Sequence, residues 1–481
     1  MPITTQHPEY GQYVERWKRN RAACAGQDEV KECGTLFLPD DGANDTTREA
    51  RARYARYLLR ATWFPCAGYT KQGLLGMVFR KPPEVELPSQ LEYIKENADG
   101  GGLSLTQVAK IAVEQTLEVG RVGILTEYPE SEAGLSAEEV ATRMLQARLT
   151  IYRAEAIDNW KYEMIGGVLK LTMVKLCEVE EVEQDEFLSS YETRFRVLRL
   201  RDGVYTQTVY DDKDTSVVPE FAPRQANGQV WDHIPFHFVG AENNRPDVDR
   251  AVLSGIVDLN TSHYQLTADS MKNLHIHSGG TMILATEMSK EQWDAYNPNG
   301  VTVGADQGLH VGAQGSATLL QLAPASAVEE KLKRIEEQML AVGAHLITER
   351  GDNETAEAAR IDAGTKSSAL LCASDNVSEA LEAALEDAAL FMGGNPDQVF
   401  FKLNREFYPR NVSAQDIMAA IQLQDRGIIA KADTRTMLRG TPYLESDRTD
   451  DELDAEAEDT GIDLTGLPAD DADDEQDDAQ Q

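Results

Sequence analysis

Two pairs of histidines have a spacing that could do chemistry. His275 and His277 form an H-x-H pair. On a strand both imidazoles would face one side and offer two metal ligands. His263 and His310 are isolated and supply no third ligand of matching spacing. Polar residues at a helix-to-strand junction are the plainer reading. His233 and His237 lie four apart, but Pro235 between them argues against the helix that would bring them together. The richest glycine stretch, Gly304 to Gly315, contains no lysine. A phosphate loop needs glycines that expose backbone N–H groups, then a Lys and a hydroxyl for phosphate and Mg²⁺. Nor does this stretch open a helix as a dinucleotide fingerprint does. Asp211-Asp212-Lys213-Asp214 lacks the glycine and glutamate of a calcium-binding loop and reads as a solvated hairpin end. A G-x-S-x-G nucleophile elbow is absent. Carboxylates are numerous enough for a two-carboxylate hydrolase, yet nothing pins two of them to one site. Cys24, Cys33, Cys66, Cys177 and Cys372 are scattered without a C-x-x-C pair, which supports neither a zinc knuckle nor a redox motif. The expectation is a chain with no catalytic residue, no metal and no cofactor.

Composition narrows the class. The chain has 481 residues and a hydrophobic fraction of 41%, which suits a large globular core. It has no apolar run near the ~20 residues of a membrane-spanning helix, and Met1 to Tyr10 lacks the pattern of a secretory signal. The reading is therefore a protein made in a cytoplasm. The net charge is −36. From Glu445 to Gln481 there are 17 acidic residues against Arg448, a net of −16. DNA affinity comes mainly from Lys and Arg neutralising phosphates, so broad electrostatic grip on nucleic acid is excluded. Surrounding DNA without holding it is not.

The elements alternate in kind. Tyr10 to Ala25 reads as a helix, and Asp45-Thr46-Thr47 caps another that runs through Arg60. Pro82 to Pro88 is extended. Ser104 to Val119 is helical and ends at Gly120, and Val122 to Tyr128 is a buried strand. From about Leu149 to Gly240 the period becomes that of strands. Trp160–Ile165 and Val168–Glu178 flank Gly166-Gly167, and Phe195–Leu200 and Val204–Tyr210 flank Arg201-Asp202-Gly203. Asp247 to Asn273 is a long helix, and Gly279 to Leu322 is short strands and glycine. Val328, Leu332, Ile335, Met339, Val342 and Leu346 step by alternating fours and threes, a heptad-like seam about 30 Å long. Thr348 to Gly364 reads as a mobile loop, Thr365 to Met392 as a helix, and Phe400 to Phe407 as a short strand. Ala414–Gly427 and Thr434–Arg439 are the last helices. Beyond Asp447 the composition is that of a disordered acidic tail.

Particular stretches resemble a known family. His7-Pro8-Glu9-Tyr10, Trp17 and Gly34-Thr35-Leu36-Phe37-Leu38-Pro39 resemble the opening of one subgroup of tailed-bacteriophage portal proteins. Gly73-Leu74-Leu75-Gly76-Met77-Val78-Phe79-Arg80-Lys81-Pro82-Pro83 is similar to its most specific signature. Val119 to Leu125, Tyr152 to Trp160 and Ile234 to Gly240 continue the likeness. The second half matches by element order more than by motif.

The resemblance implies an α+β portal architecture of wing, stem helices, β-rich clip and crown. The wing would span 1–246, helical to about 148 and β-rich over about 149–240. The stem helices would be 247–273 and 327–347, with the clip at 274–326 between them. A channel loop would follow at 348–364, then a long helix returning to the wing at 365–411. A crown-like helical region would occupy 412–446 and a disordered acidic tail 447–481. The resemblance also implies a homo-oligomeric ring, usually a dodecamer, at one capsid vertex of the virion, made in the host bacterial cytoplasm. Its partners would be the major capsid protein, the large terminase, head–tail adaptor proteins and double-stranded DNA passing without sequence specificity, with no membrane. It implies no enzyme activity of its own. Arg350, Arg360 and Lys366 in or beside the loop, and Lys331, Lys333 and Arg334 on the stem, are candidates to face the DNA; each reads equally as a solvated charge or an intersubunit salt bridge. The seam from Val328 to Leu346 reads as either intrachain packing or packing on a neighbouring subunit's stem. The rival readings are a metal-dependent hydrolase or nuclease with a composite carboxylate site, and another virion assembly protein such as a scaffold or adaptor.

Overall fold

The computed structural model describes residues 2–39, 47–129, 145–185, 187–278, 281–297, 311–320, 326–347, 356–407, 414–426, 428–438 and 449–459. At 48% helix and 23% strand the chain is α+β. Residues 1–405 and 406–481 form separate compact units.

In the first unit, α1 (Pro8–Ala25), α2 (Gln27–Glu32), α3 (Arg48–Arg60), α4 (Cys66–Val78) and α5 (Leu105–Val119) make the N-terminal helical part, with β1 (Glu84–Glu86) between the last two. Local chemistry sets their ends. Thr47 caps α3 by accepting from the Ala50 N–H at 3.2 Å. Ser104 and Gln107 form a reciprocal capping box on α5. Gly120 ends α5 at φ 75°, and a Cβ there would sit 2.5 Å from the Asp249 carbonyl oxygen, so only glycine fits. A polar network joins three of these helices. Lys71 reaches Glu114 at 2.6 Å and Glu118 at 2.7 Å, and Arg21 reaches Glu118 at 3.1 Å.

Two antiparallel sheets follow. β2 (Arg121–Glu127) lies between β3 (Arg148–Arg153) and β9 (Phe236–Gly240). β4 (Ile157–Ile165), β5 (Val168–Asp185), β6 (Leu188–Arg201), β7 (Val204–Tyr210) and β8 (Ser216–Phe221) form a five-stranded meander in chain order. Gly166-Gly167 and Asp202-Gly203 turn its first and third hairpins with positive φ. The second hairpin is longer than the expected Phe195 start allows, because β6 begins at Leu188.

The helix expected at 247–273 is α6, Ser254–Ser278, shifted toward the C-terminus. Asp249 explains the late start: its carboxylate accepts from the Glu242 and Asn243 N–H groups at 2.7 and 3.0 Å, holding 242–249 as a loop. β10 (Thr281–Ala285) pairs antiparallel with β11 (Ser316–Leu320), with α7 (Lys290–Tyr296) between them. Within the stretch Gly279 to Leu322, residues 279–280, 298–310 and 321–322 lie outside the described residues. α8 (Ser326–Ile347) and α9 (Ala356–Met392) follow. The loop expected over 348–364 is corrected from Ala356 onward, where the backbone is already helical. Ala356, Ala358, Ala359 and Ala363 favour helix, and the single Gly364 costs only about 1 kcal/mol. α9 packs on β2, β9 and α5, and β12 (Phe400–Lys402) pairs with β1.

The second unit contains α10 (Ala414–Asp425), α11 (Lys431–Leu438) and α12 (Asp450–Asp459). Within the disordered tail expected over 447–481, Asp450–Asp459 is helical as α12, and residues from 460 on lie outside the described residues. Arg435 ties α12 to α11 through Asp454, and Thr449 caps it by accepting from the Glu452 N–H at 3.3 Å.

Candidate functional site

α8 carries the whole apolar seam and three of the six cations singled out to face the DNA. It packs against α6 and α4. Ile335 and Met339 are buried by this chain alone, at 6% and 0% exposure. Val328 and Leu332 are half-buried, and Val342 is exposed; the Leu346 side chain lies outside the described residues. Ile335 and Met339, at the centre of the seam, therefore pack within this chain. His263 on α6 adds a polar tie, with Nε2 3.1 Å from Glu336.

Lys331, Lys333 and Arg334 are exposed and make no ion pair among the described residues. At about 100° per residue, Lys331 and Arg334 share one flank of α8 and Lys333 lies on the other. The three fan out rather than converge on one point. Arg350 lies outside the described residues. Arg360 and Lys366 fall on the first turns of α9, where side chains are not described.

The histidine pairs exchange roles. His275 and His277 sit at the end of a helix, not on a strand. Two residues apart on a helix point to different sides, and His275 contacts Arg60 at 2.9 Å. His233 and His237, between which Pro235 forbids a helix, come together across a bend: His237 is on β9, and the chain turns just before it, where the Phe236 N–H donates to the Ile234 carbonyl at 2.7 Å. Their Nε2 atoms lie 3.0 and 2.8 Å from the two carboxylate oxygens of Asp387 on α9. Asp232 holds the other ring nitrogen of His233 at 3.0 Å. The hydrogen bond to Asp387 outweighs burial and pushes the His233 imidazole up to about 9. The two histidines hold the buried Asp387 carboxyl below its ordinary value, although burial opposes this. Trp231 packs on Phe391 at 4.4 Å beside them. No nucleophile adjoins the imidazoles, and among the described residues no group of three His, Cys, Asp or Glu could hold a metal. The cluster works as a clamp between β9 and α9.

Arg121 falls within one of the sequence motifs, but nothing in the sequence marks its burial. It is 1% exposed, with its guanidinium 3.8 Å from the Trp160 ring and 4.6 Å from the Phe238 ring. None of its three side-chain nitrogens has a hydrogen-bond acceptor among the described residues. Burial pushes it down to about 9, against the pull of Glu9, Asp247 and Asp249. Nearby, Lys175 and Asp158 form a buried ion pair at 3.1 Å, and the Lys175 ammonium also donates to the Ile3 and Thr5 carbonyls.

Comparison with known proteins gives a partial match. A family described as a domain of unknown function (DUF4055) matches residues 252–392, which span α6 to α9. No curated protein matches. A chain from the neck of an empty GTA particle, computed with C6 symmetry, aligns over 79% of this chain and 90% of its own length, at 12% identity and a TM-score of 0.33.

Proposed function

We propose that this chain is the subunit of a portal ring, the DNA channel at one capsid vertex of a tailed bacteriophage. The observation that carries the reading is the order α6, β10–β11, α8, α9. Two long helices pack side by side, a small antiparallel β unit closes the chain between them, and a third long helix runs back onto the β2–β9 sheet. That order supports the stem, clip and return helix implied by the portal resemblance. In this reading the ring serves genome packaging, terminase docking, head–tail joining and ejection, and has no enzymatic role.

The charge supports passage rather than capture. Duplex DNA carries one charge per ~1.7 Å, so a strongly basic tunnel would clamp it. A chain of net charge −36 repels it, and a few cations such as Lys331, Lys333 and Arg334 centre it. The test is mass photometry with negative-stain microscopy on the full-length protein. Rings of about a dozen chains with a central hole are expected. A monomer or dimer at every concentration tried, paired with metal-dependent turnover, would replace this reading with the hydrolase.

A further inference from the structure

The fold leaves two exposed surfaces of opposite charge. The first is an arm. β4 stops pairing with β5 at Ile157↔Leu176, and β7 stops pairing with β6 at Phe195↔Tyr210. From Glu178↔Arg194 to Asp185↔Leu188 the strands pair only with each other among the described residues. The arm is about 25 Å long at ~3.3 Å per residue. Its root is fixed: Arg196 bridges Glu178 at 2.8 Å and Glu127 at 3.0 Å, and the Tyr152 hydroxyl also donates to Glu178.

Beyond the root, the register puts Val179, Glu181 and Tyr191 on one face. Val179 and Tyr191 are 69% and 68% exposed, and Phe187 at the tip is 91% exposed. A lone two-stranded hairpin is marginal in water, and Val179, Tyr191 and Phe187 are the apolar surface on this acidic arm that a partner would cover. The arm is also acidic, with Glu178, Glu180, Glu181 and Glu183 on β5. Arg194 bridges Glu180 and Glu192, whereas Glu181 has no cationic partner among the described residues.

The second surface is α3. Arg48, Arg51, Arg53, Arg56 and Arg60 outnumber its one acid, Glu49, in a chain whose net charge is strongly negative. Ala50, Tyr54 and Tyr57 face the protein, and the Tyr54 hydroxyl donates to the Leu38 carbonyl at 2.9 Å. Arg51, Arg53 and Arg56 are exposed and make no ion pair among the described residues. Leu59, 75% exposed, lies about 60° around the helix from Arg56, with Arg51 and Arg53 on the two flanks.

We infer that the arm of one copy seats on α3 of a neighbouring copy, with Val179, Tyr191 and Phe187 over Leu59 and Glu181 facing Arg53 and Arg56. The contact is heterologous, so it repeats from copy to copy. It rests on the self-assembly proposed above and names the surfaces that meet. Opposite charge around an apolar centre sets register and speeds encounter. A duplex would satisfy the arginines but leave the apolar face of the arm exposed.

The test uses two full-length variants, Arg53→Glu/Arg56→Glu and Glu181→Lys/Glu183→Lys. Circular dichroism and thermal melts first establish that both stay folded, and mass photometry follows assembly at low and high salt. Each variant alone is expected to associate roughly tenfold or more weakly than wild type. Mixing the two restores assembly, because every contact again pairs opposite charges. Variants that assemble like wild type overturn the interface and leave the ring standing. Variants that dissociate without recovery on mixing overturn the pairing of these two surfaces. Open chains in wild type, dissociated by the same substitutions, keep the interface and overturn the ring. A wild type that stays monomeric overturns both. Loss of duplex binding by the α3 variant, with assembly unchanged, assigns α3 to nucleic acid and overturns the interface.

Discussion

Two charged side chains are held at the residue scale in opposite ways. His233 gains a partner, so folding favours its cation. That contribution is fully present below the unfolded value of 6.5 and fades as pH rises through about 9. Melting wild type and His233→Gln from pH 6 to 10 should show a gap of a few degrees that closes above pH 9; a constant gap would sink the claim. Removing Asp387 leaves two imidazoles facing a void, and Asp387→Ala should cost about 3 kcal/mol or more in urea unfolding. Arg121 instead carries a buried charge with no acceptor among the described residues, offset in part by its two aromatic neighbours and by the attraction of Glu9, Asp247 and Asp249. Arg121→Met, which keeps volume and drops the charge, should unfold within about 1 kcal/mol of wild type or later, whereas Arg121→Ala should lose about 3 kcal/mol. Equal losses in both would show that the charge is not the cost. The sequence shows the two histidines four apart but not the bend around Pro235 that brings them together. The distance to Asp387, on another element, hides the rest of the clamp.

Glycine decides two cases at the element scale. Gly120 needs its positive φ and the space beside Asp249, so Gly120→Ala should cost about 2–3 kcal/mol. Gly76 is exposed within α4, and a methyl group added there would meet nothing within 4 Å. Gly76→Ala should therefore stabilise by about 0.5–1 kcal/mol, read as a higher Tm. Those same glycines explain what is legible. Gly120, Gly166-Gly167 and Gly203 punctuate the chain, and α5, β2, β4 and β7 beside them lie close to the bounds expected from sequence. Gly68, Gly73 and Gly76 inside α4 lower its apparent propensity, so the helix that supports α8 does not stand out. The outer half of β5 is hidden because it lacks strand alternation: Glu181 shares a face with Val179, and Val182 lies on the other face.

Charge is the dominant fact at the scale of the whole molecule. With a net of −36, the free chain should not shift a duplex in a gel at physiological salt, despite the arginines of α3. A shift there would contradict passage without capture. The order of elements from α6 to α9 is legible because each has its own period. Which surfaces of the chain meet is not, because that depends on residues brought together from distant parts of the sequence.

Trp160 has one more consequence, an optical one. Its ring is stacked between the His7 imidazole at 3.9 Å and the Arg121 guanidinium at 3.8 Å, and it is fully buried. The His7 side of that stack belongs to the segment whose Ile3 and Thr5 carbonyls are gripped by Lys175. Peeling the segment away strips one side of the indole without touching the sheet beneath it. Trp160 emission therefore reports the seating of residues 3–7 separately from global unfolding, a reporter already built into the chain.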